Sequence, residues 1–284
     1  MGSSRPFSVL MGLLVTGSLV LVITMPAHAD LNMYDGNWHF TIAPYLWAPT
    51  VNGTLNFTAP SGASAGAPPA STTVGVTVGP NALFTHLNFG FLGYFEARKA
   101  NWSIFADVLD LNLSNQASSV TTINFGSGPI HVDPSFNINT SSTLQTFLGS
   151  LAGSYTVWRE DKSTLDVFGG AQYLDASSTV NWSLVGPLGL FPKSGSLSGS
   201  DHLVAGIIGV KGRINLGRSN WFVPYFLDGG AGGFTTWQGM VGIGYSFSWL
   251  DIVLTYRHLY IDTQGHVLQN TSLSGPMLGL AFNF

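Results

Sequence analysis

Between residues 87 and 98 the side chains alternate without a break. Leu87, Phe89, Phe91, Phe95 and Ala97 fall on one face, and Asn88, Gly90, Tyr94, Glu96 and Arg98 on the other. A period of two is the signature of a strand, not a helix. It recurs over residues 143–157, where Phe147, Leu151, Tyr155 and Val157 oppose Thr146, Ser150, Ser154 and Thr156. Residues 238–249 repeat it, with Val241, Ile243, Tyr245, Phe247 and Trp249 against Gln238, Gly242, Gly244, Ser246 and Ser248. Beyond residue 29 the longest apolar run is 203–210, well short of the roughly 18 residues a membrane helix needs.

The greasy face of these strands needs a solvent, and the composition says which. Lys, Arg, Asp and Glu together make up 8% of the 284 residues, against about 25% in soluble domains. With 35 glycines and 13% aromatics, the chain reads as one partly solvated by lipid. Lipid leaves no unpaired backbone group satisfied, so a chain that crosses it on strands must close them into a barrel. The expected fold is an all-β, transmembrane, antiparallel up-and-down β-barrel of about ten strands, with eight to twelve possible. Candidate strands cover residues 38–47, 87–98, 102–113, 143–157, 165–175, 203–215, 221–230, 238–249, 251–262 and 272–284. In 102–113 the apolar face changes parity after Val108, which reads as a bulge or as the strand leaving the membrane. Residues 50–58 and 72–79 read as a hairpin beyond the membrane or as two more spanning strands. A near-helical spacing of Ala82, Leu83, Phe84 and Leu87 reads as a loop turn.

The first 29 residues carry one positive charge at Arg5, an apolar run over 9–25 and then Pro26-Ala27-His28-Ala29. This is the pattern of a cleaved secretory signal peptide, which leaves 30–284 as the barrel domain. Cysteine is absent, so disulfides and thiolate chemistry are excluded. A net charge of −4 offers no basic surface for nucleic acid.

Short connections at 99–101, 160–163, 216–220 and 250 alternate with long ones at 59–71, 114–142 and 183–200, rich in Ser, Gly, Pro and Asn. Trp102, Trp158, Trp221 and Trp249 abut the short turns, and Trp38 opens the first strand at the same level. Trp47, Trp182 and Trp237 fall at the opposite strand ends. Two aromatic girdles are expected, because indole favours the headgroup layer. The final Gly279-Leu280-Ala281-Phe282-Asn283-Phe284 resembles the last-strand signal of bacterial outer-membrane β-barrel proteins. The opening Trp38-His39-Phe40, then Pro44-Tyr45-Leu46-Trp47-Ala48-Pro49, with Phe95-Glu96-Ala97-Arg98-Lys99, resembles an OmpA/OmpW-like, mostly uncharacterised proteobacterial group of such barrels. The resemblance implies export through the periplasm, residence among outer-membrane lipid, and recognition of Gly279, Phe282 and Phe284 by the barrel-assembly machinery.

Charges inside strands are the remaining functional signal, since a lipid-facing Lys or Arg near the midplane costs about 2–4 kcal/mol. Glu96, Arg98, Asp107, Asp166, Lys211, Arg213, Asp228 and Arg257 are therefore expected in the lumen. Both signs are present, which suits a salt-bridged filling of a narrow barrel or a small polar pore. A lipid-hydrolysing site would set a histidine and a serine two residues apart on one strand face, with a carboxylate or amide to orient the histidine. None of His39, His86, His131, His202, His258 or His266 is expected to belong to such a pair. Asp201-His202 faintly resembles the Asp–His pair of outer-membrane proteases, but adjacent strand residues face opposite ways. His131-Val132-Asp133 offers two metal ligands where three or more are needed. The expectation is no enzyme, no metal and no cofactor, with a structural role or passive passage of small solutes. Loop-borne surface recognition and, further off, a lipid-active enzyme are the alternatives.

Overall fold

The computed structural model describes residues 32–58, 71–81, 87–116, 123–125, 128–130, 137–185, 194–263 and 268–284. The expected signal peptide, residues 82–86 and His131 to Asp133 lie outside the described residues. The strands are β1 (Trp38–Trp47), β2 (Thr50–Thr58), β3 (Ser71–Val78), β4 (Leu87–Lys99), β5 (Trp102–Gln116), β6 (Ile123–Phe125) and β7 (Gly128–Ile130). They continue as β8 (Asn137–Glu160), β9 (Ser163–Val185), β10 (Ser194–Asn215), β11 (Trp221–Gly232), β12 (Thr235–Ser246), β13 (Leu250–Asp262) and β14 (Leu268–Asn283). No helix among the described residues is long and apolar enough to cross a membrane.

Ten of these strands, in the order β1-β4-β5-β8-β9-β10-β11-β12-β13-β14, form a closed antiparallel barrel. The seam pairs β1 with β14 from Thr41↔Asn283 to Trp47↔Met277. Beyond it β2 replaces β1 along β14, from Thr50↔Ser274 to Leu55↔Leu268. The break falls at Ala48-Pro49, where proline has no N–H to give the ladder. Among the described residues β3 pairs with β2 alone, so the pair is a hairpin that prolongs the first barrel strands, not two more spanning strands. The tight turns after β4 and β8 each place a non-glycine residue in the left-handed region, Ala100 at φ 52° and Asp161 at φ 51°, as short hairpins demand.

Two sequence expectations are corrected. Of the two readings of the parity change in β5, the bulge is excluded, because register runs unbroken through Val108↔Gly149, Leu109↔Leu148 and Asp110↔Phe147. Ser103, Phe105, Asp107, Leu109 and Leu111 all face the lumen; the apolar side switches because the lumen itself turns apolar while Asp110 and Asn112 take the outside. Second, the Ser-rich stretches 114–142 and 183–200 are partly strand. β8 already begins at Asn137, β9 runs on to Val185 and β10 starts at Ser194. Polar composition marks departure from lipid, not loss of the ladder, and threonine is a good strand former. With 24, 23 and 22 residues, β8, β9 and β10 are nearly twice as long as β11 to β13. They project as a one-sided wall past the end of the barrel that carries the long connections.

Candidate functional site

The interior of the barrel holds the charges and the apolar core together. Toward the short turns, Arg98 of β4 binds Glu96 Oε1 at 2.7 Å, Thr156 Oγ1 at 2.8 Å and the carboxylate of Asp166. Asp166 accepts a further bond from Thr156 at 2.7 Å. Lys211 of β10 reaches in from the far side, donating to Glu96 Oε2 and to the Tyr94 hydroxyl, each at 2.7 Å. Its ammonium also lies 4.3 Å above the Phe105 ring. Each carboxylate therefore has a cation, which makes this burial tolerable.

Phe105 packs edge to face on Phe168 and Phe226 across the lumen above this cluster, and those two rings meet at a tilt, with all three centroids 5.0–6.2 Å apart. A second polar knot follows. Arg257 pairs with Asp107 at 2.6 Å and donates to the Tyr45 hydroxyl oxygen at 3.0 Å and to Gln238 Oε1 at 2.7 Å. Tyr45 donates to Asp107 at 2.7 Å, and Gln238 passes its own amide to Asp228 at 2.7 Å. Farther out the lumen is closed by Leu109, Leu111, Leu148, Leu174, Leu259 and Leu273, with Phe234, Ile261 and Met277. Arg213 sits apart near the short turns, 3.3 Å from Asp251. The structure thus brings all eight sequence-assigned lumen charges inside, in three groups that sequence alone could not sort.

An N-terminal turn lies under the first cluster. The Tyr34 ring is sandwiched between the guanidinium groups of Arg98 and Arg159, at 5.0 and 4.4 Å. Burial raises its hydroxyl pKa, while Arg98 pulls the other way. Beside it Asp35 takes His39 Nε2 at 2.8 Å and the Asn37 amide, bonds that hold its carboxyl down at about 2.

The exterior is apolar. Ile208 is 75% exposed and Leu46 68%, and Trp38, Trp102, Trp158, Trp221 and Trp249 all face outward at the short-turn end. Trp102 meets Tyr155, Trp221 meets Tyr245 and Trp249 meets Phe282, at 4.8, 5.0 and 5.9 Å. At the opposite end Trp237 is outward, but Trp47 is not: it is 2% exposed and donates from Nε1 to Gly275 O at 3.2 Å. Parity along β1 decides this, since Tyr45 and Trp47 share the inner face with His39. The side chain of Trp182 is outside the described set. In the last strand Gly279 packs inward on Tyr45, and the Phe284 and Phe40 backbones bond each other at 2.9 and 3.1 Å.

The closed antiparallel barrel is a fold that solved proteins share. The chain is similar to the outer-membrane protease OmpT of Escherichia coli, at a TM-score of 0.51 and 9% identity over 88% of this chain and 98% of that one. The fold is that of a bacterial outer-membrane β-barrel. Weaker likenesses to such barrels include the translocator domain of autotransporter NalP from Neisseria meningitidis, at a TM-score of 0.37 and 13% identity over 88% of this chain and 90% of that one. No protein-family model and no curated protein matches the sequence.

On the outer wall the register aligns neighbouring strands in outward-facing rows. Val108, Gly149, Tyr173 and Val204 lie in one outward row across β5, β8, β9 and β10, and Asp110, Phe147, Asp175 and His202 in the next. Asp201 turns into the barrel, 7% exposed, while its neighbour His202 faces out. Ser200 stands on that outward face as well, two residues before His202. The expectation that no histidine has a serine two residues away is therefore corrected at His202, although no contact joins the two side chains here.

Proposed function

We propose that the protein is a structural β-barrel of the bacterial outer membrane whose lumen is shut by its own side chains. The observation that carries this is the Arg257–Asp107–Tyr45–Gln238 knot, capped by the leucine layer around Leu259. A barrel of this size has an interior that side chains can fill, and paired charges have no need of passing ions. In this reading Gly279, Phe282 and Phe284 serve assembly, the five outward tryptophans settle the short-turn end in the periplasmic headgroup layer, and the barrel-assembly machinery and outer-membrane lipid are its partners. The second reading, favoured by the projecting β8–β10 wall, is surface recognition.

The refolded protein in a planar bilayer tests this. Wild type is expected to show no discrete conductance steps. Steps that change amplitude in Arg257→Ala would overturn the closed lumen and establish passive passage of small solutes through a charge-lined pore.

A further inference from the structure

Seven of the eight lumen charges have an opposite partner, and Asp228 does not. Arg98 and Lys211 answer Glu96 and Asp166, Arg213 answers Asp251, and Arg257 answers Asp107. Asp228 is 4% exposed; its Oδ2 accepts from the Gln238 amide, and its Oδ1 has no hydrogen-bond partner among the described residues. Arg257 lies beyond Gln238 but is committed elsewhere. Its Nη2 serves Asp107 and Gln238 Oε1, its Nη1 serves Tyr45, and its Nε reaches Gln238 Oε1 again at 3.1 Å. Because Gln238 takes the guanidinium on Oε1, its amide group must turn to Asp228, and it brings a dipole where a charge is needed.

A second buried atom beside it is also unanswered. Thr236 is 2% exposed, and its Oγ1 has no partner among the described residues. The β11–β12 register sets Asp228 opposite Gln238 and Gly230 opposite Thr236. Asp228 and Thr236 are therefore diagonal neighbours on the inner face, at a spacing that one ion between two side-chain oxygens can bridge. The walls are apolar. On the β10 side a Cβ at Gly209 would stand 2.7 Å from the Asp228 Cβ and 2.5 Å from the Phe168 ring. On the β13 side Leu259, fully buried, shares the row with Gln238. An ionised carboxylate left alone in such a place costs several kcal/mol. A proton would remove the charge but not the defect. With Oδ2 accepting from Gln238, the acid hydroxyl would fall on Oδ1, where no acceptor lies among the described residues, and Thr236 Oγ1 would stay unanswered.

We propose that Asp228 and Thr236 hold a monovalent alkali cation in the lumen, taken up as the barrel closes. One such ion binds both unanswered oxygens and cancels the single negative charge. A divalent ion would leave an excess positive charge in its place, and among the described residues no three Asp, Glu, His or Cys side chains gather into a site for one. The ion fixes Asp228, Asp228 orients Gln238, and Gln238 orients Arg257 against Asp107. It thus extends the knot that shuts the barrel. The inference rests on the filled lumen proposed above, since an open pore would hydrate Asp228 instead.

The test is urea unfolding of the refolded full chain from vesicles, with NaCl or KCl raised against choline chloride at constant ionic strength. The ratio of folded to unfolded protein is expected to grow about tenfold for each tenfold rise in NaCl or KCl above the dissociation constant, as one site demands. The salt that does so names the ion. Asp228→Asn should abolish this slope, and Thr236→Val should move its onset to higher salt. Folding of each variant is checked by its heat-modifiable gel mobility. Wild type that responds to the alkali salts no more than to choline overturns the proposal, whether or not a variant folds. A slope that survives in Asp228→Asn, or an onset unchanged in Thr236→Val, overturns it as well. So does a protonated-carboxyl infrared band that Asp228→Asn removes, which would assign the place to a proton. A barrel silent in the planar bilayer but without the slope loses the ion site alone, whereas discrete conductance steps overturn the filled lumen and the ion site with it.

Discussion

The two halves of the lumen are filled by opposite means. Toward the short turns Glu96, Arg98, Asp166 and Lys211 fill it with paired charge, whereas toward the long connections Leu109, Leu148, Leu174 and Leu259 fill it with hydrocarbon. The polar half is specific but brittle, because removing one member strands another. The apolar half tolerates change in proportion to the volume lost. Arg257 and Asp107 stand at the boundary, with Trp47 5.2 Å from the guanidinium.

The comparison can be broken most sharply at that boundary. Arg257→Leu leaves Asp107 buried and unpaired and is expected to cost about 3–5 kcal/mol in urea unfolding from vesicles. Adding Asp107→Leu should recover most of that loss, as replacement of a whole buried pair is often neutral. If the double variant is as weak as the single, charge pairing is not what distinguishes the inner half. In the outer half Leu259→Ala removes a fully buried side chain and should cost about 3 kcal/mol by the same measurement. Outside the lumen, Trp102→Ala loses the contact with Tyr155 and is expected to cost about 1 kcal/mol.

The smallest effect is at the N-terminal turn. The bonds from His39 and Asn37 depress the Asp35 pKa from 3.8 to about 2. A depressed carboxyl contributes its stabilisation above the ordinary value and loses it as pH falls through the folded one. The turn under the lumen should therefore hold at neutral pH and loosen between about 4 and 2, read from the Asn37 amide resonance. Asp35→Asn should remove that dependence while leaving the barrel folded.

Much of this was legible in alternation. Residues 87–98 pair and face as their pattern says, with Glu96 and Arg98 inside. Alternation failed where both faces look alike. In β5, Leu109 and Leu111 resemble lipid-facing residues because an apolar lumen and a membrane ask for the same side chains. Trp47 failed for the same reason, since an indole at a strand end suits either a girdle or a core. The partition of the lumen charges depends on which strands face each other across the barrel, as Lys211 of β10 faces Glu96 of β4, and no local pattern encodes that.

The seam has a consequence in time. Thr41 Oγ1 donates to Asn283 Oδ1 at 2.8 Å across 242 residues of chain, so the first barrel strand, already paired with β4, gains its second neighbour only when β14 has been synthesised. Until then the sheet has two raw edges, and neither the ionic half nor the leucine half is enclosed. Such closure is an end-to-end event with a long entropic reach. Membrane insertion must therefore follow translation, and the unfinished chain must be shielded from pairing with others in the interval.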